Sequence, residues 1–139
     1  MVDLEKKLRA PVKIGNQTFA NPICLASGTA AFGEELSELI SLDKLGAIIL
    51  KGTTLHPKEG NPPPRLVETS AGLLNAIGLQ NPGIDAVLAE KVPILKKINV
   101  PMILNVAGKS DDEFEQIAKK LAVNLDIKAI EVNMSCPNV

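Results

Sequence analysis

The sequence predicts an α/β fold, and a (β/α)8 TIM barrel is the favoured architecture. Short apolar runs alternate with segments of helical periodicity in the order β, α, β, α, β, α, β. Such alternation is typical of parallel strands joined by right-handed helical crossovers. A doubly wound open sheet is the alternative, but its G-x-G-x-x-G phosphate loop does not occur after the first strand, at residues 27–33. The barrel is therefore preferred.

The first elements follow from turn and periodicity signals. A Gly-Asn pair between two extended runs predicts a short N-terminal hairpin over residues 12–19. The apolar run at residues 22–26 predicts a strand, in which Cys24 is expected to pack as a small hydrophobic side chain. Apolar residues at helical spacing predict a helix over residues 34–42. The continuously apolar run at residues 46–50 predicts a strand buried on both faces.

The later elements continue this alternation. A Pro-Gly pair opens a helical stretch that Pro93 is expected to bend or break. The apolar runs at residues 101–104 and 128–132 predict two further strands. Between them, residues 110–113 form a capping box that starts a helix. The buried face of this helix is expected to comprise Phe114, Ile117, Ala118, Leu121 and Ala122.

Composition and charge exclude several classes of function. The 139 residues carry 15 basic and 16 acidic side chains, so no strong field is available to capture nucleic acid or an anionic membrane. Three Phe without any Trp or Tyr offer no stacking platform for single-stranded nucleic acid. No apolar run reaches the ~18 residues of a membrane span. Two cysteines without metal-ligand spacing argue against a disulfide framework and a metal site. We expect one domain over residues 1–139 in a reducing cytoplasm.

Polar side chains stand directly after the apolar runs of four predicted strands: Ser27, Lys51, Asn105 and Asn133. In a barrel the carboxyl ends of the strands meet at one mouth, where function gathers. Each residue alone could mark the point where burial stops, but a lysine and two amides among the four favour a site. The connection at residues 52–80 adds to this, because connections of this length are usually functional or disordered. A β excursion without a function is the alternative.

Cys136 follows the last predicted strand and precedes a proline in a polar loop. A thiol has an unperturbed pKa of ~8.5, which is close enough to neutrality for a base or a nucleophile. From position alone, a catalytic and a non-catalytic role for Cys136 are equally open. His56 is the only histidine, and no sequence motif around it indicates a Ser-His-Asp triad.

Four spaced motifs resemble the catalytic subunit of class 1 dihydroorotate dehydrogenases, most closely the B type: KGTTLHPKEGNPPPR, NAIGLQNPG, NVAG and EVNMSCPNV. The likeness runs over residues 10–139. It implies a (β/α)8 barrel that binds FMN at the carboxyl-end mouth and oxidises dihydroorotate to orotate in pyrimidine biosynthesis. In that reaction a base removes the C5 proton while a hydride leaves C6 for the flavin.

The resemblance also implies roles for individual residues. Cys136 matches the catalytic base of the family. The residues that match substrate contacts are Lys51, Asn75, Ala76, Ile77, Gly78, Leu79, Asn133 and Asn138. Those that match FMN contacts are Ser27, Lys51, Gly52, Asn105 and Asn133. The cation of Lys51 suits a substrate carboxylate and the negative charge of a reduced flavin.

The B type implies a second subunit, with FAD and a [2Fe-2S] cluster, that passes electrons to NAD, and a homodimer within a heterotetramer. The alternatives are an A-type enzyme that uses fumarate and a catalytically inactive half-barrel module for binding or assembly. A (β/α)8 barrel takes ~250 residues, and only four of its strands can be traced here. We therefore expect the N-terminal half of the barrel, with about four β/α units and the hairpin. Alone, such a half should bind FMN poorly and turn over little or nothing.

Overall fold

A four-stranded parallel sheet is the centre of the structure, a computed structural model that describes residues 10–134. The strands are β1 (Val12–Ile14), β2 (Gln17–Phe19), β3 (Cys24–Leu25), β4 (Ala47–Thr53), β5 (Leu66–Thr69), β6 (Gly72–Asn75), β7 (Met102–Val106) and β8 (Ile127–Val132). The helices are α1 (Ser27–Ala30), α2 (Glu34–Ser37), α3 (Ile84–Ala86), α4 (Val92–Ile98) and α5 (Asp111–Ala122). A 3₁₀ turn covers Leu42–Lys44, and a π-helical segment covers Val87–Lys91.

The central sheet has the strand order β3-β4-β7-β8, and every neighbouring pair is parallel. Ile48 in β4 lies beside Met102 in β7, and Leu50 lies beside Leu104. All four side chains are buried. Because both faces of these inner strands are covered, their sequences are continuously apolar, as in the sheets of α/β proteins. The predicted parallel order is confirmed, and so is the N-terminal hairpin, in which β1 pairs antiparallel with β2.

The helix that follows β7 starts at the predicted capping box. Ser110 Oγ accepts a hydrogen bond from the Glu113 amide at 3.3 Å. The Glu113 carboxylate reaches back one residue further than expected and accepts from the Lys109 amide at 2.7 Å. Together these bonds satisfy amide groups that have no partner within the helix.

The buried face of α5 is narrower than predicted. Ile117 and Leu121 are buried and Phe114 is half-buried, but Ala118 and Ala122 are exposed. Both alanines border an open hollow between α5 and β8. Their predicted burial is wrong for the residues described because β8 is the last strand of the sheet, and no described element covers its outer side.

One helix prediction is wrong, and of the bend or break predicted at Pro93 the break does not occur. The helix expected over residues 34–42 ends at Ser37, because Ser41 is extended and a separate 3₁₀ turn follows; Leu39 is consequently 78% exposed. Pro93 does not break its helix, since α3, the π-helical segment and α4 follow one another without a gap. A proline ring clashes with the carbonyl four residues earlier in a regular α-helix. The wider π turn before Pro93 relieves that clash.

The expected packing of Cys24 is also wrong, because its side chain is exposed. β3 is only two residues long and pairs with β4 alone, so it is one edge of the described sheet. A side chain on such an edge loses the neighbour that would cover it in a closed barrel. Within residues 10–134, no helix has both the length and the apolar character that crossing a membrane requires.

Candidate active site

Lys51, Gly52 and Asn105 lie side by side at the carboxyl ends of β4 and β7. The strand pairing shifts here: Leu50 lies opposite Leu104 and Thr53 opposite Val106, so Lys51 and Gly52 together face Asn105. Two residues opposite one make a bulge, which redirects side chains and is common beside active sites. β4 and β7 therefore continue past the apolar runs, and Lys51 and Asn105 lie within strands, not after them as predicted.

The side-chain amide of Asn105 is buried, and it is hydrogen-bonded to Glu131 in β8 and to Asn133, which directly follows β8. Its nitrogen donates to the Glu131 carboxylate, which leaves the Asn105 oxygen to accept from Asn133 Nδ2 at 3.5 Å. The Asn133 backbone amide donates to the Val106 carbonyl at 2.8 Å, so Asn133 extends the pairing of β8 with β7 by one residue. Two of the amides predicted from the sequence thus meet at the mouth.

Gly52 lies against the segment 75–79, which follows the β5–β6 hairpin. A Cβ at position 52 would be 2.6 Å from Leu79 Cδ1 and 2.8 Å from Asn105 Oδ1. A Cβ at this position would displace both side chains, so the glycine permits this close approach. The segment from the long connection and the ends of β4 and β7 therefore meet at one point, although 27 residues separate Gly52 from Leu79 along the chain.

The long connection at residues 52–80 carries a β excursion, as the sequence allowed. β5 pairs antiparallel with β6, and Asn75 at the end of β6 lies opposite Leu66. The backbone of Asn61 donates to the Ile77 carbonyl at 3.0 Å, and Asn61 Nδ2 donates to the Ala76 carbonyl at 2.8 Å. The predicted substrate segment is thus tied to the proline-rich part of the same connection.

Arg65 strengthens this tie and was not singled out from the sequence. Its Nη1 donates to Gln80 Oε1 at 2.7 Å, and its Nη2 donates to the Glu59 carbonyl at 2.9 Å. Its Nε donates to the Asn61 carbonyl. One guanidinium group therefore joins the proline-rich part of the connection to Gln80 at its end. This bridging role could not be predicted from the sequence, because every arginine carries the same five N–H donors and nothing along the chain indicates their acceptors.

Ser27 and Lys51 complete the described part of the mouth. Ser27 is the first residue of α1 and follows β3 after one residue, Ala26; β3 is the neighbour of β4. The Lys51 backbone amide donates to the Ala31 carbonyl at 2.8 Å. Among the described residues, no carboxylate pairs with Lys51 Nζ. A cleft of 520 Å³ lies beside Lys51 and is bordered by Gln80 and Asn81.

Cys136 and Asn138 lie outside the described residues, beyond the described end of the chain at Met134. Along the chain they follow Asn133, which the structure places against Asn105. In residues 10–134, no three His, Cys, Asp or Glu side chains are grouped closely enough to hold a metal ion.

The sequential order of the parallel strands, with polar side chains at their carboxyl ends, is that of part of a TIM-barrel protein. The family model described as "Dihydroorotate dehydrogenase" matches residues 9–139. The chain belongs to the dihydroorotate dehydrogenase family. The resemblance stated from the four motifs is thereby confirmed.

Relatives of known name agree with this assignment. The chain is 51% identical over 133 residues to "Dihydroorotate dehydrogenase B (NAD(+)), catalytic subunit" of Desulforamulus reducens, covering 96% of this chain and 44% of the relative. It is 50% identical over 128 residues to the protein of the same name in Thermoanaerobacter pseudethanolicus, covering 92% of this chain and 42% of the relative. The chain thus spans less than half the length of these relatives.

Solved structures show the same fold. The crystal structure of DHODH from Eimeria tenella in complex with ferulenol superposes with a TM-score of 0.70 at 22% identity, over 98% of this chain and 39% of that one. The ligand-free form of the same protein gives a TM-score of 0.70 over 95% of this chain and 40% of that one. The predicted partial TIM barrel is confirmed.

Proposed function

We propose that this chain is the N-terminal half of the FMN-binding catalytic subunit of a B-type dihydroorotate dehydrogenase. The whole enzyme would oxidise dihydroorotate to orotate and pass the electrons to NAD through a partner subunit. The observation that carries this proposal is the meeting of Gly52, Leu79 and Asn105 at the barrel mouth. It brings the residues that match flavin contacts next to the segment that matches substrate contacts. The names and identities of the relatives support the B type.

The residues present fit a flavin at this mouth. The absence of a Cβ at Gly52 lets Leu79 and Asn105 pack against the end of β4, which brings the substrate-matching segment to the flavin-matching residues. Asn105 and Asn133 supply amide groups that both donate and accept hydrogen bonds, which suits a ring system carrying both kinds of partner. Ser27, Lys51, Gly52, Asn105 and Asn133 would hold the FMN. When bound, FMN supplies an acceptor for the C6 hydride of dihydroorotate.

Residues of this chain would remove the proton, orient the substrate and close the pocket. Cys136 is the base that takes the C5 proton, a role that suits a thiol with an unperturbed pKa of ~8.5. Lys51 attracts the substrate carboxylate. The amides of Asn75, Asn133 and Asn138 orient the substrate by hydrogen bonds. In the segment 75–79, Gly78 and Leu79 offer backbone groups, while Ala76 and Ile77 help close the pocket.

The proposed partner is a separate electron-transfer subunit that carries FAD and a [2Fe-2S] cluster. The words "catalytic subunit" and "NAD(+)" in the names of the relatives support such a division. The proposed assembly is a homodimer of catalytic chains within a heterotetramer, in the cytoplasm. No part of the described chain is needed to ligate the cluster, since the partner holds it.

The test of the function uses the full-length catalytic chain with and without its partner subunit. We expect a yellow protein with flavin absorption near ~450 nm, a change in that spectrum on adding orotate, and NAD reduction only when the partner is present. Turnover with fumarate that needs no partner would instead identify an A-type enzyme. A colourless protein that forms no orotate would contradict the proposal and favour a binding or assembly module.

Replacing Lys51 with methionine in the full-length enzyme should weaken orotate binding about 10- to 100-fold, because a hydrogen bond to a charged group contributes roughly 1.5–3 kcal/mol. Calorimetric titration of the oxidised enzyme with orotate measures the effect. Lys97→Met is the matched control, since Lys97 is an exposed lysine in the last turn of α4. Equal affinities in the two variants would remove Lys51 from the substrate site.

A further inference from the structure

Asn81 is a buried amide whose hydrogen-bonding capacity is fully used. Its side chain belongs to a residue that is only 5% exposed. Its Oδ1 accepts from the Thr54 amide at 3.1 Å and from the Gly83 amide at 2.9 Å. Its Nδ2 donates to the Leu79 carbonyl at 2.8 Å and to Thr54 Oγ1 at 3.0 Å. An asparagine amide has two donors and two lone pairs, so no capacity remains.

The bonds of Asn81 join three parts of the chain. Thr54 directly follows β4, and Gly83 directly precedes α3. The backbone of Asn81 also exchanges two hydrogen bonds with Lys58, each of 2.9 Å. Thr54 Oγ1 donates its own proton to the His56 carbonyl at 2.6 Å, so it must accept from Asn81 Nδ2. The position of Asn81 relative to the end of β4 is therefore determined by bonds on every side.

Leu79 depends on this arrangement. It is a non-glycine residue in the left-handed region, with φ of 58°, a conformation that is strained for a leucine and persists where its surroundings hold it. The bond from Asn81 Nδ2 to the Leu79 carbonyl holds it directly. The Leu79 side chain in turn packs on Gly52, beside Asn105.

We propose that Asn81 is a positioning residue that sets the backbone of Gly78 and Leu79 for substrate binding, acting through its bond to the Leu79 carbonyl. This inference rests on the proposed function, because Gly78 and Leu79 are the groups assigned there to the substrate. The side chain of Asn81 uses its hydrogen-bonding capacity within the chain, on Thr54, Leu79 and Gly83. Its effect passes from the end of β4 to the substrate segment.

The variant Asn81→Asp in the full-length enzyme removes the two bonds that Nδ2 donates, to the Leu79 carbonyl and to Thr54 Oγ1. Aspartate keeps an oxygen for the amides of Thr54 and Gly83, but its second oxygen faces the Leu79 carbonyl, where a donor is needed. We expect the KM for dihydroorotate and the Kd for orotate to rise about 10- to 100-fold, since a buried carbonyl loses its partner and meets a negative charge. FMN content should stay at the wild-type level, and kcat should fall less than threefold.

Asn124→Asp is the matched control. Asn124 Oδ1 accepts from the amides of Asp126 and Ile127 at 3.1 and 3.3 Å, and the same substitution leaves both acceptor bonds in place. We expect wild-type KM and Kd for this variant. A change in Asn124→Asp equal to that in Asn81→Asp would overturn the positioning role, because charge alone would explain it.

The remaining outcomes separate the positioning role from the proposed function. Wild-type KM and Kd in Asn81→Asp, with an active wild-type enzyme, would overturn the positioning role and leave the function standing. Loss of FMN together with substrate affinity would assign Asn81 a merely structural role and also overturn it. A wild-type enzyme that forms no orotate would overturn both. Should Asn81→Asp not fold, Thr54→Val removes the hydroxyl partner of Nδ2 together with the bond from that hydroxyl to the His56 carbonyl. A three- to tenfold rise in Kd at unchanged FMN content supports the proposal, and an unchanged Kd contradicts it.

Discussion

Replacing Cys136 with alanine should lower kcat for orotate formation by roughly 10²- to 10⁴-fold, which is the usual contribution of a positioned general base. Alanine retains the small volume of the site but has no group to accept the C5 proton of dihydroorotate. FMN binding and orotate affinity should change little, because the assigned flavin and carboxylate contacts lie on other residues. Steady-state turnover of the full-length enzyme with its partner measures the loss.

Cys24→Ala is the control for the cysteine prediction, because Cys24 is exposed on the edge strand β3. It should retain wild-type turnover. Cys136→Ser adds a pH test: a hydroxyl loses its proton far less readily than a thiol, so its residual activity should continue to rise at alkaline pH values where the wild-type rate has levelled off. Normal turnover in Cys136→Ala would show that another group removes the proton.

The variant Gly60→Ala should raise the KM for dihydroorotate at least tenfold. Gly60 has φ of 81°, and a Cβ there would overlap the Ile77 carbonyl oxygen and lie 3.1 Å from Gln80 Cβ. The left-handed backbone costs an alanine roughly 1–2 kcal/mol. The overlap must also move the segment 75–79, because its partner is backbone and not the flexible end of a side chain. Substrate kinetics and orotate titration measure the displacement.

Gly15→Ala is the control that separates the effect of left-handed backbone strain from the effect of displacing the segment 75–79. Gly15 has φ of 60° in the N-terminal hairpin, and a Cβ there would meet no atom within 4 Å. Both variants carry the same kind of backbone strain, so both should lower the thermal unfolding midpoint, and Gly60→Ala should lower it further because of its overlap with the Ile77 carbonyl. Only Gly60→Ala should change the KM. A KM that rises equally in both, or in neither, would mean that Gly60 does not set the position of the substrate segment.

Some residues of the candidate site could be predicted from the sequence pattern, and others could not. Lys51, Asn105 and Asn133 were found because each closes an apolar run, and parallel strands bring such ends together. Asn81 and Arg65 were not found. An Asn-Pro pair before a helix is a turn signal, but it does not reveal a bond to Thr54, 27 residues away. Glu131 was likewise missed, since its partner Asn105 lies on the neighbouring strand.

The sequence by itself determined the elements whose causes are local: the hairpin around its Gly-Asn turn, the capping box before α5, the buried strands β4 and β7, and their parallel order. Only the tertiary structure decided which apolar side chains of these elements are buried and which are exposed. Cys24 and Ala118 are apolar positions in regular elements, yet both are exposed because β3 and β8 are the edges of the described sheet. Periodicity states which face of an element is apolar, whereas burial depends on whether another element covers that face.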